Sequence, residues 1–452
     1  MTLFQRYLYR NYQTMASIRQ WLERRITPVG ALAITGLVLT ALRGADTTLS
    51  VTYQAFAFLA ILVPVAWVSL WFFRGRFSIQ RHLPRIGSAG VPLAYQISIE
   101  NLTRRNQSGL SMFENLADRL PTLKEFVENP EPGEEKRNWL DRRYGYYRWQ
   151  WLANRKRPAR VERTPVPPLR PGERLQFKMQ LLPLRRGVLR FEGTTIVCPD
   201  PFGLFLAWQQ APAAQSVLIL PKRYPLPPVD LPGTRKYQPR GVALASAVGE
   251  SEEFMSLRDY RPGDPLRYVH WKSFAKLGKP IVKEFQDEFF VRYALILDTF
   301  SGADFSDRFE EAVSVAASFA CTLLTQDSLL DLLFVGPQAF CFTAGRGVAH
   351  TEQMLEILAS VRICHDQPFQ SLAQRVLHHA STVSGCICIF LAWDQERQDF
   401  IRQLKALDVP LRVLVITDPG VPLDPGPLRD HPEWFWPLEM GRIAEDLAAH
   451  GQ

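Results

Sequence analysis

The chain has 452 residues, too many for one ordinary domain and enough for two or three. Hydrophobic residues make up 46%, which supplies packed cores and excludes a globally disordered chain. The formal net charge of +8 is unevenly spread: residues 1–73 carry 6 Lys/Arg and 2 Asp/Glu, 74–192 carry 24 and 12, and 193–452 carry 23 and 31, so the C-terminal part is acidic and nucleic-acid binding over the whole surface is excluded.

After a basic arm at 1–27 come two apolar segments, PVGALAITGLVLTAL (28–42) and TTLSVTYQAFAFLAILVPVAWVSLWFF (47–73). The second exceeds the roughly 20 residues needed to span a bilayer, and Pro64 within it is tolerable in lipid. The short link between them predicts a transmembrane helical hairpin over 28–73. Arg6, Arg10, Arg19, Arg24 and Arg25 precede it, and Arg74, Arg76, Arg81 and Arg85 follow it. The positive-inside rule puts both flanks in the cytoplasm. A signal peptide fits less well, because the apolar run starts late and a second follows at once. Neither segment carries an ionisable residue of the kind transport uses, so an anchor is expected.

From 91 onward VPLAYQISIENLT alternates apolar and polar residues with period two, as do LQFKMQLLPL (175–184) and GVLRFEGTTIVC (187–198). PPLRPGE, LRRG and DPFG supply turns. A small all-β sandwich over 74–222 is predicted. An insertion at about 104–165 interrupts it. Its core at 135–160 interleaves Trp139, Tyr144, Tyr146, Tyr147, Trp149 and Trp151 with Lys and Arg. Such a stretch can stack on nucleic-acid bases, lie at a lipid headgroup layer, or be an ordinary solvated insertion. Beside a membrane anchor the lipid reading leads and nucleic acid trails.

The linker region 223–290 contains LRDYRPGDPLRYVHWKSFAKLGKPIVKEF (257–285). Three readings compete for it. Arg258, Asp259, Arg261, Asp264, Arg267 and Lys272 can form an internal ion-pair network around a Pro262-Gly263 turn, with Tyr260 and Trp271 packed beneath. The same cations can face outward toward an acidic partner. His270 can act as a general base or metal ligand, though no nucleophile elbow, HExxH or Walker A sequence accompanies it.

Residues 291–452 alternate apolar strands with amphipathic helices, predicting an α/β open sheet. Strands are expected at 291–298, 328–335, 338–343, 385–394 and 411–418, and helices at 306–326, near 351–362, near 368–380 and near 395–406. Asp298, Asp394 and Asp418 fall at strand ends, where such sheets place ligands. Converging carboxylates there can hold Mg²⁺ or simply cap turns. The six cysteines (198, 321, 341, 364, 386, 388) have no CxxC or metal-finger spacing and are read as core thiols in a reducing compartment.

The segment EEFMSLRDYRPGDPLRYVHWKSFAKLGKPIVKEF (252–285), with LRRGVLRFEG (184–193), DPFGLF (200–205) and two apolar N-terminal segments, resembles the bacterial domain-of-unknown-function 58 (DUF58) family. That resemblance implies a von Willebrand factor A-like α/β domain, location at the bacterial inner membrane, and work beside a MoxR-type AAA+ ATPase. It brings no catalytic activity. The A-type metal motif Asp-x-Ser-x-Ser falls on Asp298, Thr299, Phe300, Ser301 and Gly302, so both hydroxyl positions are lost. A degenerate Mg²⁺ site from Asp298, Ser301 and Asp394 is the implied remnant, with Thr343 or Thr351 as a later contributor. The expectation is a non-enzymatic, membrane-anchored adaptor whose partners are such an ATPase, other membrane proteins and inner-membrane lipid. The alternatives are a hydrolase using His270 with Asp298 and Asp394, and lipid or nucleic-acid binding through 135–160.

Overall fold

The structure, a computed structural model, describes residues 3–43, 50–73, 75–117, 120–227, 254–262, 264, 266, 269–285, 292–302, 306–324, 329–336, 339–344 and 348–450. It has two compact units: Met1–Pro225 with Thr299–Ser318 and Glu352–Asp366, and Leu226–Asp298 with Phe319–Thr351 and Gln367–Gln452.

The first unit opens with three helices: α1 (Leu3–Arg25), α2 (Pro28–Arg43) and α3 (Ser50–Ser69), the last extended by a 3₁₀ turn over Leu70–Phe72. Among the described residues one helical segment, Val51–Phe72, is long and apolar enough to cross a membrane. Of the expected pair of spans, this is the one that reaches the required length. The 16 residues of α2 rise only about 24 Å, short of a hydrocarbon core about 30 Å thick. Both apolar helices are rooted on a β-loop. Thr27 Oγ1 accepts from Gly30 N (3.0 Å), capping α2, and donates to Gly203 O (2.7 Å). Ala66 packs with Leu204 and Phe205, with Trp67 edge-on to Phe205. Gly30 is needed there: a Cβ would lie 2.0 Å from Leu204 O.

Two β-sheets follow. Their strands are β1 (Phe77–His82), β2 (Ile86–Ser88), β3 (Leu93–Asn101), β4 (Ser111–Leu116), β5 (Ala159–Val161), β6 (Thr164–Pro165), β7 (Arg174–Pro183), β8 (Gly187–Pro199) and β9 (Leu206–Leu220). The orders are β1-β3-β7-β5 and β2-β9-β8-β4-β6, with every neighbour antiparallel except β2 beside β9. The period-two pattern decides the faces. Leu93, Tyr95, Ile97 and Ile99 of β3 join Met112, Met179, Leu189, Phe191, Ile196 and Val217 in one core.

β4 belongs to this sheet, so the inserted part is narrower than the sequence suggests. It folds into α4 (Leu123–Glu128), α5 (Trp139–Tyr144) and α6 (Tyr146–Lys156). Trp149 and Leu152 are buried against Leu8 and Tyr12 of α1 and against Phe126. Arg148 pairs with Glu134, Lys156 with Glu125 at 2.5 Å, and Arg137 with Glu131 at 2.9 Å. Much of the aromatic-basic interleaving is therefore the internal packing of a helix, although Trp139, Tyr144, Tyr146 and Tyr147 remain exposed.

The remaining elements are β10 (Phe254–Asp259), α7 (Trp271–Leu277), β11 (Ile281–Phe285), β12 (Arg292–Leu297), α8 (Asp307–Leu324), β13 (Leu329–Val335), β14 (Ala339–Ala344), α9 (Val348–Ser360), α10 (Gln370–His379), β15 (Gly385–Phe390), α11 (Gln395–Ala406), β16 (Leu411–Thr417), β17 (Phe435–Glu439) and α12 (Ile443–Ala449). β10 and β11 form an antiparallel pair. The main sheet of the second unit runs β14-β13-β12-β15-β16-β17, five strands parallel and β14 antiparallel at the edge. β15 is buried at every residue, which explains its unbroken apolar sequence. Each fully buried Ile, Leu or Phe on these strands contributes about 1.5–3 kcal/mol before entropy is counted. Cys386 and Cys388 are fully buried on β15; burial and then the neighbouring Cys386 push the Cys388 thiol's pKa up, away from reactivity.

Candidate functional site

The charged motif folds as strand, turn, helix, strand. Arg258, at the end of β10, grips Asp264 with both ends of its fork, Nη1 to Oδ2 at 2.7 Å and Nη2 to Oδ1 at 2.8 Å. Asp264 also accepts from Arg261 N at 2.8 Å, closing the turn around Pro262. The Arg258 fork first, and then the Arg261 amide, hold the Asp264 carboxyl down to about 2. Tyr260 N donates to Pro280 O (3.0 Å) and His270 N to Ile281 O (2.8 Å), so both arms of the loop are tied to the stretch entering β11. Val269 is buried and pairs with buried Val282. Gly263 and Arg267 lie outside the described residues.

His270 opens α7, with its carbonyl accepting from Ser273 N and Phe274 N. Its Nδ1 shares a 2.6 Å hydrogen bond with Ser273 Oγ. Gly278, with φ 68°, closes the helix in the left-handed region glycine favours. Between these ends α7 faces solvent. Trp271 does not pack beneath the turn as expected: it is 62% exposed, edge-on to Phe274, and Leu277 beyond it is 61% exposed. Spaced three apart, these three residues share one face of the helix. Lys272, Lys276 and Lys279 are exposed around them, and Asp259 and Pro262 are exposed on the turn side.

A second constellation stands at the carboxyl ends of β12 and β15. Asp298 is fully buried and accepts from Leu391 N at 3.1 Å and from Arg397 Nε at 2.7 Å. The other arm of the same guanidinium reaches Asp394 at 2.5 Å. Asp394 is also the N-cap of α11, accepting from Arg397 N at 3.1 Å. Burial works to lower the Arg397 pKa, but its two carboxylates outweigh it and hold the pKa above its ordinary value. The ring of Phe369 lies 4.7 Å beneath the guanidinium.

Asp298 and Asp394 therefore do converge, on a cation the chain itself supplies. These residues do not fit Mg²⁺. A guanidinium bridges the two carboxylates, and Phe300 and Gly302 stand where hydroxyl ligands are needed. Among the described residues there is no cluster of three His, Cys, Asp or Glu able to hold a metal. Ser301 is half-buried in the segment after Asp298, Thr351 lies in α9, and Asp418 is exposed at the end of β16. Sequence reasoning missed Arg397, because in QERQDFIRQLKA it reads as one more polar position on an amphipathic helix. Its place three residues after a strand-end Asp was the available signal.

Residues 256–420 match the family described as protein of unknown function DUF58. The chain is also similar to the uncharacterized protein YeaD of Bacillus subtilis (strain 168), 31% identical over 144 residues, covering 31% of this chain and 35% of that one. The match thus spans about a third of that relative's length. Among solved structures, a CARDB domain from Pyrococcus furiosus aligns with 32% of this chain and 94% of its own at 9% identity and a TM-score of 0.17. The β-glucosidase of Listeria innocua aligns with 32% and 16% at 12% identity and 0.16. Likenesses at this level carry no argument about fold or activity.

Proposed function

We propose that the protein is a membrane-anchored, non-enzymatic adaptor that docks a protein partner on its DUF58-like second unit. The observation that carries the reading is the division of labour within the charged motif. Arg258 and Asp264 spend their charges on each other, while Trp271, Phe274 and Leu277 stand out from a short, tied-down helix among three lysines. A solvent-facing Trp and Phe on a rigid support is the usual make-up of a binding hot spot. The fit is a partner with an apolar groove and an acidic rim.

The groups a hydrolase would require have other work. Asp298 and Asp394 neutralise Arg397, and His270 is engaged with Ser273. The family resemblance supports a von Willebrand factor A-like reading of the parallel sheet and a MoxR-type AAA+ ATPase as the partner. The apolar segment Val51–Phe72 supports the anchor. In this proposal α2 enters the bilayer with it, as a hairpin in a bacterial inner membrane, and the basic flanks put both units in the cytoplasm.

The test is co-purification from membrane extracts of wild type, Trp271→Ala with Phe274→Ala, and Asp264→Lys with Arg267→Glu. Wild type is expected to retain an AAA+ ATPase, and both double variants to lose it while staying folded. Retention by none of the three, or equal retention by all, overturns the adaptor reading.

A further inference from the structure

A cavity of about 160 Å³ lies between the last turns of α1 and strands β8 and β9. It is lined by Ser17, Gln20, Trp21, Arg24, Arg25, Thr195 and Trp208. The Arg25 guanidinium sits between two indoles, 5.2 Å from the ring centre of Trp21 and 5.2 Å from that of Trp208. Its Nε is buried with no hydrogen-bond partner. Arg24 beside it lies 5.6 Å from the Phe113 ring. Glu23, the one carboxylate of α1, is taken by Arg19 at 2.8 Å. Among the described residues, then, two adjacent arginines line the cavity with no carboxylate in an ion pair with either.

Buried from solvent, that Nε does not open on the cavity, and the two Nη groups of the fork are the donors a ligand there meets. The cavity is large enough for a group of several heavy atoms, since a water molecule takes about 30 Å³. Two guanidinium groups select an anion with several oxygens, and the indole walls select apolar matter attached to it. The location adds the source. Arg25 stands three residues before the apolar helix α2 begins, and α2 and α3 are rooted on the loop that leads into β9. Trp and Arg at such a junction lie at headgroup depth.

We propose that this cavity is a binding site for the phosphate headgroup of an anionic phospholipid, with Arg25 and Arg24 on the phosphate and Trp21 and Trp208 walling the glycerol. The proposal rests on the membrane-anchored part of the reading above and is independent of the adaptor part. It differs from lipid contact through 135–160, much of whose aromatic and basic content is used internally.

The experiment uses the full chain purified in a zwitterionic detergent, titrated with short-chain, water-soluble phosphatidylglycerol and read by native mass spectrometry. Parallel titrations use short-chain phosphatidylcholine and inorganic phosphate. Wild type is expected to bind one phosphatidylglycerol saturably and the other two weakly. Arg25→Gln is expected to lose affinity by about tenfold or more, the size of one lost charge-assisted hydrogen bond. Arg25→Lys recovers only part, because an ammonium has no planar fork to stack between indoles. Arg143→Gln, on α5, leaves binding unchanged. Equal binding of phosphatidylglycerol by wild type and Arg25→Gln overturns the site. Binding of inorganic phosphate as strong as the lipid, or no preference over phosphatidylcholine, overturns the lipid assignment. Extraction of the chain from native membranes by alkaline carbonate would defeat the anchor while leaving this titration able to succeed, so the two failures are separable.

Discussion

Two buried arginines hold carboxylates in the two units, and they are built differently. In the β-rich unit, Arg81 of β1 faces Glu114 of β4, Nε to Oε1 at 2.9 Å and Nη2 to Oε2 at 2.6 Å, with both side chains fully excluded from solvent. Thr194 and Tyr95 donate to the same carboxylate, Ala213 O accepts from Arg81, and Phe191 lies 4.7 Å beneath the guanidinium. In the α/β unit, Arg397 holds one buried carboxylate, Asp298, and one whose side chain is 48% exposed, Asp394. The first network is closed on every side. The second opens to solvent at a rim where α/β sheets place ligands. A closed network specifies a fold, because every charge is matched inside it. A network open at one end fixes the same geometry and still leaves a polar surface for a partner to meet.

Breaking the closed network is the most damaging change. Arg81→Ala strands Glu114 in the core and is expected to cost about 3–5 kcal/mol, the usual penalty for a buried charge that loses its partner. Urea unfolding of the detergent-purified chain measures it, and Arg81→Met with Glu114→Leu together should restore much of the loss. Burial first, and then the Glu114 charge, push the Tyr95 phenol's pKa up, so Tyr95 stays neutral and adds no second negative charge beside Glu114.

Breaking the open network costs less and reveals more. In Arg397→Ala, Asp394 turns to water and Asp298 keeps the Leu391 amide, but Asp298 is a fully buried carboxylate, so the expected loss is about 3 kcal/mol, the low end for breaking a buried pair. The same substitution removes the internal cation. Millimolar Mg²⁺ should then raise the melting temperature of Arg397→Ala and leave that of wild type unchanged. A wild-type response to Mg²⁺ would show that the guanidinium yields to a metal, and the contrast between a self-neutralised rim and a metal-dependent one would be lost.

The two networks also show what the sequence makes legible. Strands β12, β13, β15 and β16 and helix α11 were readable because their signals are local: unbroken apolar runs and helical periodicity. β17 and α12 were missed, as was the helical character of α1, which the run of arginines presents as a mere flank. Arg81 illustrates the limit best. Beside Arg85 it counts as one more cytoplasmic cation next to a membrane segment. Its real role depends on Glu114, 33 residues away across the fold, a pairing no periodicity records. Asp298 and Asp394 were legible as strand-end carboxylates, because position alone marks them. The cation between them was not, because Arg397 differs from its helical neighbours only in where its turn of helix lies. The failed Trp271 expectation has the same cause, since aromatic content suggests burial while exposure depends on what packs above.

The smallest effect separates the charged motif from both buried networks. Asp264 sits near solvent, so its pair with Arg258 responds to pH as a fully buried pair does not. Its folded carboxyl is held at about 2, against an ordinary 3.8. A carboxyl depressed by folding stabilises the loop at pH values above the ordinary one, and that contribution drains away as pH falls from about 4 toward 2. Pepsin is active across this window and reports local opening by cutting near Leu257 and Leu266. Cleavage in 257–285 should be slow at pH 4 in wild type and fast at pH 2, whereas Asp264→Asn should be cut readily at both. Taking the ratio of variant to wild type at each pH removes the protease's own pH dependence. A ratio that stays flat from pH 4 to 2 would mean that the Arg258 fork is not what holds the turn. The exposed face of α7 would then owe its position to the Val269–Val282 pairing and the Tyr260 and His270 amide bonds alone.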